Sequence, residues 1–384
     1  MICIYSCKID GYIFKEGQQL KNYQRFIAFV LFISLAVLLA ACGGSDEDTK
    51  KDTDANKDGE DTQYSVAMVT DVGGVDDKSF NQSAWEGLQE WGKEHDLDKG
   101  TGFDYAQSND DADYMPNLTR LVKSDYHLIL GIGYKLEDAI LEVAEQYPDT
   151  DFAIVDSVVD APNVASITFA DHEGSFLVGV AAAMKTKTDK VGFVGGIDSD
   201  LINKFEAGFI AGAKSVNPDI EVQVQYAGAF DAADDGKLIA TNMYNDDVDI
   251  IYHASGGTGN GVFAQAKDIK NNDPDREVWV IGVDRDQHDE GEIGDHNVTL
   301  TSMIKRVDNA VQQVSNEGME GEFPGGEILE FGVADDGVGV STTNEEAMTD
   351  DMMEAIEEWK EKIIDGDVDV PQTRDELKEF EKSL

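Results

Sequence analysis

Short apolar runs alternate with segments of helical periodicity from residue 64 to about residue 320. Nine runs predict strands: YSVAMVT, HLILGIG, DFAIVD, VASITF, KVGFVGG, EVQVQYAG, IIYHAS, VWVIGV and LTSMI. Most are continuous in Val, Ile, Leu and Phe, which is typical of parallel strands buried on both faces. Helices are predicted between them, over residues 79–94, 135–147, 171–185, 199–216, 234–245, 258–271 and 305–319. This alternation predicts an α/β fold.

Two of the predicted strand–helix turns resemble each other. VGGVDDKSFNQSAWEGLQE begins at Val72, and VGGIDSDLINKFEAGFIAGAK begins at Val194. In each, a strand is followed by Gly-Gly, an acid and a helix that contains an aromatic residue. The repetition suggests two similar α/β lobes, although chance similarity between turns of this kind is an alternative explanation.

The N-terminal region has the features of a secretory signal. Residues 26–41 carry no charge and follow Lys21 and Arg25. The stretch is shorter than the roughly 20 apolar residues of a membrane-spanning helix, and it matches the apolar part of a signal peptide. Residues 1–20 are long for the basic part of such a signal, which suggests that the start is misassigned, with Leu20 as a candidate for the true start.

The sequence LAAC, residues 39–42, resembles the lipobox of bacterial lipoproteins. This implies that residues 1–41 are removed and that Cys42 becomes a lipidated N-terminus at the extracytoplasmic face of the cell membrane. The alternative is a chance cysteine at the end of an anchor helix. Residues 42–63 contain almost no hydrophobic side chain and are predicted to be a disordered tether. Because Cys3 and Cys7 fall in the removed segment, no disulfide is expected in the mature chain.

Charge narrows the possible partners. The 384 residues include 30 Lys and Arg against 78 Asp and Glu, a formal net charge of -48. Nucleic-acid binding depends on basic patches, so no nucleic-acid partner is expected. Docking on anionic lipid is disfavoured for the same reason. A solvated acidic surface is the simplest interpretation, and a high-salt habitat would explain it.

Polar and aromatic residues recur at the ends of the predicted strands, where open parallel sheets bind ligands. They are Asp71, Gly131, Gly133, Tyr134, Asp156, Phe230, Asp231, residues 256–261 (GGTGNG), Asp284 and Lys305. Each Asp could instead cap the following helix. By spacing alone, Phe80 shares an apolar stripe with Ala84, Leu88 and Trp91, which favours a place in the core.

Motifs for catalysis, phosphate binding and metal binding are missing from the sequence. GGTGNG matches neither G-x-G-x-x-G nor the P-loop pattern, and neither G-x-S-x-G nor H-E-x-x-H occurs. The six histidines, among them His127, His172 and His253, lack metal-ligand spacing. We therefore expect a binding protein rather than an enzyme, with no cofactor, no metal and no catalytic residue.

Several long motifs occur together in a characteristic order. They are the lipobox, TDVGGVDDKSFNQSAWEGL, FAIVDS, ITFADHEGSFLVGVAAA, VGFVGGIDSDLINKFEAGFIAGA, IIYHASGGTGNGVFAQAK, VIGVDRDQ and TSMIKRVDNAV. In this respect the chain resembles the basic membrane protein family, nucleoside-binding lipoproteins that serve ABC importers. The resemblance implies a type I periplasmic-binding-protein fold, with two Rossmann-like lobes joined by three crossing strands at a hinge and a central ligand cleft. The lobes would comprise residues 64–168 plus 302–324 and residues 169–301 plus 325–384.

The resemblance also implies a ligand site. A purine would stack between Phe80 and Phe230. The implied polar contacts are Asp71, Asn81 and Asp156 at the base edge, and Gly256, Asp284 and Lys305 at the ribose. One departure from the family pattern is His253, with Ser255 before the glycines, which leaves the wall of the cleft undefined.

The expected function is capture of a nucleoside, with purines preferred, and its delivery to an ABC permease by a monomeric lipoprotein. Ionised Asp is an acceptor-only group that suits the hydroxyl and N–H donors of a nucleoside. The same acids would repel nucleotides. Two alternatives are a membrane-anchored nucleoside sensor or regulator and a sugar-binding protein of the same fold.

Overall fold

All nine apolar runs form strands in the structure, a computed structural model that describes residues 63–384. The strands are β1 (Val66–Thr70), β2 (Phe103–Ala106), β3 (Leu128–Ile132), β4 (Asp151–Val155), β5 (Val164–Phe169), β6 (Lys190–Gly195), β7 (Glu221–Tyr226), β8 (Ile250–Ala254), β9 (Trp279–Asp284), β10 (Glu292–Ile293), β11 (His296–Asn297), β12 (Thr299–Lys305), β13 (Ile328–Phe331) and β14 (Val338–Val340). The proposed signal peptide, Cys42 and all but the last residue of the proposed tether lie outside the described residues.

Each of the seven predicted helices is present within a few residues of its expected bounds. The helices are α1 (Phe80–Glu94), α2 (Tyr114–Val122), α3 (Glu137–Gln146), α4 (Asp171–Lys185), α5 (Asp200–Val216), α6 (Ala233–Asn245), α7 (Gly259–Asn272), α8 (Val307–Glu320), α9 (Asp350–Ile364) and α10 (Arg374–Glu381). The sequence pattern had not indicated α2, α9 and α10. Between residues 63 and 384, no helix combines the length and the apolar character needed to cross a bilayer.

The strands form two six-stranded sheets of matching order. The first runs β13-β5-β4-β3-β1-β2 and the second runs β14-β12-β9-β8-β6-β7. Pairing is parallel throughout both sheets except between β14 and β12. The sheets place β1 and β6 at equivalent positions, and these are the strands that precede the two similar turns found in the sequence. The internal repetition therefore corresponds to two lobes of one design.

We call the lobe built on the first sheet the N-lobe and the lobe built on the second sheet the C-lobe. The chain passes between them three times: from β5 to α4, from β12 to α8, and from β13 to β14. The type I periplasmic-binding-protein fold with three crossings, expected from the resemblance, is confirmed. All four residues of β13 pair with β5 in the first sheet, although residues 325–384 were assigned to the second lobe.

Sheet membership also bears on a second expected boundary between the lobes. The division at residue 302 falls inside β12 (Thr299–Lys305), which pairs with β9 in the second sheet between Thr299 and Ile304. The apolar run LTSMI ends only one residue before Lys305, so the change of lobe comes at Arg306, between β12 and α8. We therefore propose that the second crossing lies near residue 306 and the third near residues 332–337.

Candidate ligand-binding cleft

A cavity with an empty volume of about 530 Å³, which includes space open to solvent, lies between the two lobes. All eight residues assigned to the ligand by the resemblance line it, although their individual roles remain predictions. The lining is Asp71, Gly73, Asp77, Phe80, Asn81, Tyr134, Asp156, Leu201, Ile202, Phe205, Phe230, Ala254, Ser255, Gly256, Gly257, Val283, Asp284 and Lys305.

Two phenylalanine rings line the cavity from opposite lobes. Phe80 is the first residue of α1 in the N-lobe, and Phe230 lies between β7 and α6 in the C-lobe. The rest of the Phe80 stripe is core, since Ala84 and Leu88 are fully buried, whereas Phe80 itself is half-buried. A residue that spacing alone assigned to the core thus begins its helix at the cleft.

The Phe230 ring lies against the backbone of Gly196, directly after β6. A Cβ atom on residue 196 would lie only 2.3 Å from Phe230 Cδ1, so only glycine allows the ring to sit there. The Thr258 N–H, in the GGTGNG turn, donates to the Phe230 carbonyl at 2.9 Å. The Tyr134 ring meets Phe230 edge to face, with centroids 6.5 Å apart. Glycines at two strand ends therefore support one aromatic wall.

Asp71 lines the cavity and directly follows β1. Its Oδ1 accepts hydrogen bonds from the Gly73 N–H at 2.9 Å and from Asn81 Nδ2 at 2.7 Å. Asn81 Nδ2 also donates to Asp77 Oδ2 at 3.0 Å, so the amide group of Asn81 holds two carboxylates in place. Burial raises the pKa of Asp71 to about 6. Within residues 63–384, its Oδ2 accepts no hydrogen bond, which leaves it available to a ligand.

Lys305 also lines the cavity and is only 1% exposed. Its Nζ is 2.7 Å from Asp156 and 3.1 Å from Asp171, and the Phe80 ring centroid is 5.3 Å away. Burial alone would lower the pKa of Lys305, but the surrounding carboxylates outweigh it and raise the pKa above its usual value. The lysine therefore carries a full positive charge that its acidic neighbours already balance.

Asp156 and Asp284 occupy equivalent positions in the two lobes. Each follows or ends a strand, β4 and β9, that is third from the same edge of its sheet. Both adopt the left-handed backbone conformation, with φ of 67° and 66°, which Asp tolerates better than most residues and which is frequent at binding sites. Burial raises the pKa of Asp284 to about 7.

His253 does not line the cavity. It is fully buried behind the cleft wall, where its Nε2 lies 3.0 Å from Gln287 Oε1. Ser255, which the sequence placed beside it, does face the cavity. The departure from the family pattern at residue 253 therefore affects the support of the wall rather than its surface.

A family model for ABC transporter substrate-binding proteins described as PnrA-like matches residues 64–374. The chain belongs to this family. It is a family of substrate-binding proteins rather than of enzymes, which agrees with the expectation from the sequence motifs. Such proteins work with ABC transporters from the extracytoplasmic side of the membrane.

Named relatives support the assignment. The chain is 54% identical over 354 residues to the CD4+ T-cell-stimulating antigen of Listeria innocua, covering 90% of this chain and 98% of the relative. It is 47% identical over 318 residues to the ABC transporter nucleoside-binding protein BmpA of Lactococcus lactis, covering 81% and 90%. A solute-binding protein of an ABC transporter system from Aeropyrum pernix shares the fold, with a TM-score of 0.72, 28% identity, and coverage of 83% of this chain and 98% of that one.

Three residues that line the cavity, and one that lies behind it, had not been predicted as ligand contacts. Leu201, Ile202 and Phe205 form an apolar wall on α5, and their spacing is that of an ordinary core stripe. Asp171, which pairs with Lys305 from behind, opens α4 and resembles a helix-terminal acid. Tyr134 stood among the strand-end residues, but nothing in the sequence indicated that it packs against Phe230.

Proposed function

We propose that this protein captures nucleosides, with purines preferred, outside the cytoplasm and passes them to the permease of an ABC importer. The observation that carries the proposal is the cavity between the lobes, which combines two phenylalanines from opposite lobes with buried carboxylates that line it from both lobes. A flat aromatic base fits between two rings, and each ring can add stacking energy. The printed name of the Lactococcus relative supports a nucleoside as the ligand.

Asp71 would select the base. A Cβ atom built on Gly133 would lie 3.4 Å from Asp71 Oδ2 and 3.5 Å from Phe80 Cε1, so both groups border the same position. An ionised carboxylate only accepts hydrogen bonds. It therefore suits the N1–H of guanine and hypoxanthine better than N1 of adenine, which is itself an acceptor. Asn81 would act mainly by holding Asp71, because its amide hydrogens are already donated.

Asp284, Gly256 and Lys305 would hold the sugar. Carboxylate oxygens accept hydrogen bonds from ribose hydroxyls, and the ammonium of Lys305 donates. Asp156 was expected at the base edge, but it lies on the Lys305 ammonium at 2.7 Å. We therefore assign it to the sugar end, where it positions the lysine.

The acids would also exclude nucleotides. Lys305 already has two carboxylates within 3.1 Å, and Asp71, Asp77 and Asp284 add three more buried acids around the cavity. A phosphate would meet like charges in a poorly screened site, which is costly. A neutral nucleoside avoids that repulsion.

Calorimetry with inosine, guanosine, adenosine, their monophosphates, free base and ribose tests the proposal. We expect nucleosides to bind and monophosphates to bind far more weakly. Phe80→Ala and Phe230→Ala should each weaken nucleoside binding by roughly 5- to 150-fold, because stacking on one ring is worth about 1–3 kcal/mol. Ligand-free melting curves are the control, since a core Phe80 would cost about 3–5 kcal/mol of stability without selective loss of ligand. Ribose binding as tightly as nucleosides would instead favour a sugar-binding protein.

We further propose that Cys42 carries a lipid anchor and that the protein acts as a monomer on the outer face of the cell membrane. The support is the lipobox at residues 39–42. Cys42→Ala should move the protein from the detergent phase to the aqueous phase in detergent partitioning. If the Cys42→Ala variant still entered the detergent phase as the wild type does, the proposal of a lipid anchor on Cys42 would be wrong.

A further inference from the structure

Residues 77–79 of the N-lobe form hydrogen bonds to the C-lobe. They directly precede Phe80 and Asn81, the proposed ligand contacts. We call residues 77–79 the closure segment. Asn260 Nδ2 donates to the Asp77 carbonyl at 3.2 Å, and Gln287 Nε2 donates to the Lys78 carbonyl at 2.9 Å. Ser79 Oγ donates to Asp284 Oδ2. Three consecutive residues thus contact three different C-lobe residues, and these bonds require the lobes to be close together.

The closure segment has a fixed conformation. Lys78 lies in the left-handed region with φ of 68°, which is unfavourable for a lysine. The Asp77 carboxylate accepts hydrogen bonds from the backbone N–H groups of Ser79, Asn81 and Gln82, at 2.9, 2.9 and 3.1 Å. These bonds hold the turn, so the Lys78 carbonyl points at the C-lobe.

The side chain of Gln287 is held in the orientation that donates to the Lys78 carbonyl. It is fully buried, and its Oε1 accepts from the Val283 N–H at 2.9 Å and lies 3.0 Å from His253 Nε2. Because Oε1 must accept from both groups, the amide NH₂ is directed across the cleft. A Cβ on Gly282 would lie 2.6 Å from Gln287 Oε1, so glycine is needed there for this orientation. Burial lowers the pKa of His253 to about 4, which keeps the ring neutral at physiological pH.

We propose that Gln287 is a positioning residue that stabilises the closed arrangement of the lobes, and that His253 acts through it by fixing its amide. Neither residue lines the cavity. Their effect on a ligand is therefore indirect, through the population of the closed state. The inference rests on the proposed nucleoside function only for its ligand-binding readout.

The first experiment measures ligand dissociation. Gln287→Met keeps the side-chain length and removes the hydrogen bonds. Loss of the one hydrogen bond to the Lys78 carbonyl should lower the affinity by roughly 2- to 12-fold, since a neutral hydrogen bond contributes about that much. The loss should be seen as faster dissociation in stopped-flow fluorescence. The factor should be the same for inosine, guanosine and adenosine, because Gln287 touches none of them. His253→Phe should have a similar but smaller effect, and the double variant should lose no more than Gln287→Met alone.

Glu86 and Arg285 provide a matched control, since they also bridge the lobes. Their bidentate ion pair, at 2.8 and 2.9 Å, lies on the exposed rim. Glu86→Gln should have an effect that disappears at high salt, whereas the effect of Gln287→Met should persist.

The second experiment needs no ligand. The native cysteines are replaced, and the substitutions E86C and R285C are introduced together. A short bismaleimide then cross-links the two positions, and the rate of this cross-linking reports how often the lobes close. Gln287→Met should slow this cross-linking several-fold. The proposal would be overturned if Gln287→Met lowered the melting temperature but left the rates of ligand dissociation and of cross-linking unchanged. It would also be overturned if the loss of affinity in this variant differed between the three nucleosides. If the wild type binds no nucleoside, the proposed function fails while the cross-linking rate still decides the role of Gln287.

Discussion

At the scale of single residues, the cleft depends on carboxylates that are buried without full compensation. Burial raises the pKa of Asp71 to about 6 and that of Asp284 to about 7, against an unfolded value near 3.9. Their favourable contribution to folding is therefore present below about pH 4 and is lost as the pH rises through 6 to 7. A ligand that donates hydrogen bonds to the ionised groups offsets this loss, which links binding to proton release.

We predict that nucleoside affinity falls as the pH falls from 8 to 5. Below its pKa, each group must lose a proton before both of its oxygens can accept from the ligand as a charged carboxylate, so the affinity should drop by up to about tenfold per pH unit per group. Calorimetry at pH 5, 6, 7 and 8, in two buffers of different ionisation enthalpy, measures both the affinity and the protons released. The affinity for inosine should fall more than the affinity for adenosine, because protonated Asp71 can donate a hydrogen bond to N1 of adenine.

Asp71→Asn provides the control for this pH dependence. The amide can still accept from Gly73 and Asn81 through its oxygen, while its NH₂ faces the ligand. The variant should prefer adenosine over inosine and should lose the titration near pH 6. Inosine affinity that stays flat from pH 8 to 5, without proton release, would show that Asp71 does not contact the base.

Single-residue roles were only partly accessible from the sequence. Phe80 and Phe230 were assigned by family resemblance, since spacing alone placed Phe80 in the core. Asp171 escaped notice because an acid at a helix start is common, and only the fold brings it within 3.1 Å of Lys305. Gln287 lay within a quoted motif, but its partner is the backbone of Lys78, 209 positions away in the chain. Long-range partners of this kind carry no local signal.

At the scale of elements, the long apolar strands were predictable and the short ones were not. Strands such as β3 and β8 are buried at every position, so their composition alone identifies them. By contrast, β2 (FDYA) and β13 (ILEF) have four residues each, interrupted by acids. Both lie at or near a sheet edge, where one neighbour and partial burial suffice. Their formation depends on the neighbouring strand rather than on their own pattern.

Two of the three helices that escaped prediction, α2 and α9, did so for different reasons. α2 contains Pro116 as its third residue, a position in the first turn where proline is tolerated because its missing N–H has no partner there. α9 is dominated by acids on its exposed side, yet Met352 and Ile356 are buried, and Trp359 packs edge to face on Phe176 of α4. In both cases, packing against the lobe outweighs a weak local signal.

At the scale of the whole molecule, the acidic excess is too large to be neutralised internally. With 78 acids and 30 bases, most acids would lack a partner even if every base formed one ion pair. Many of the pairs that do form are exposed and contribute little. Repulsion among the remaining carboxylates therefore opposes folding, and salt should relieve it because the Debye length shrinks from about 10 Å at 0.1 M to about 3 Å at 1 M.

We predict that the melting temperature rises by several degrees between 0.1 and 2 M NaCl. One source of the repulsion is on α9, where Glu354, Glu357, Glu358 and Glu361 are exposed at three- and four-residue spacing, and like charges so placed destabilise a helix. Among residues 63–384, none of the four forms an ion pair.

Replacing three of them by Gln (E354Q/E357Q/E358Q) should raise the melting temperature at low salt and flatten its salt dependence, as measured by scanning calorimetry. Sucrose serves as the uncharged control, because it favours compact states without screening. A melting temperature that is insensitive to NaCl, or a Gln variant with the same salt slope as the wild type, would mean that the acids lie too far apart to destabilise the fold.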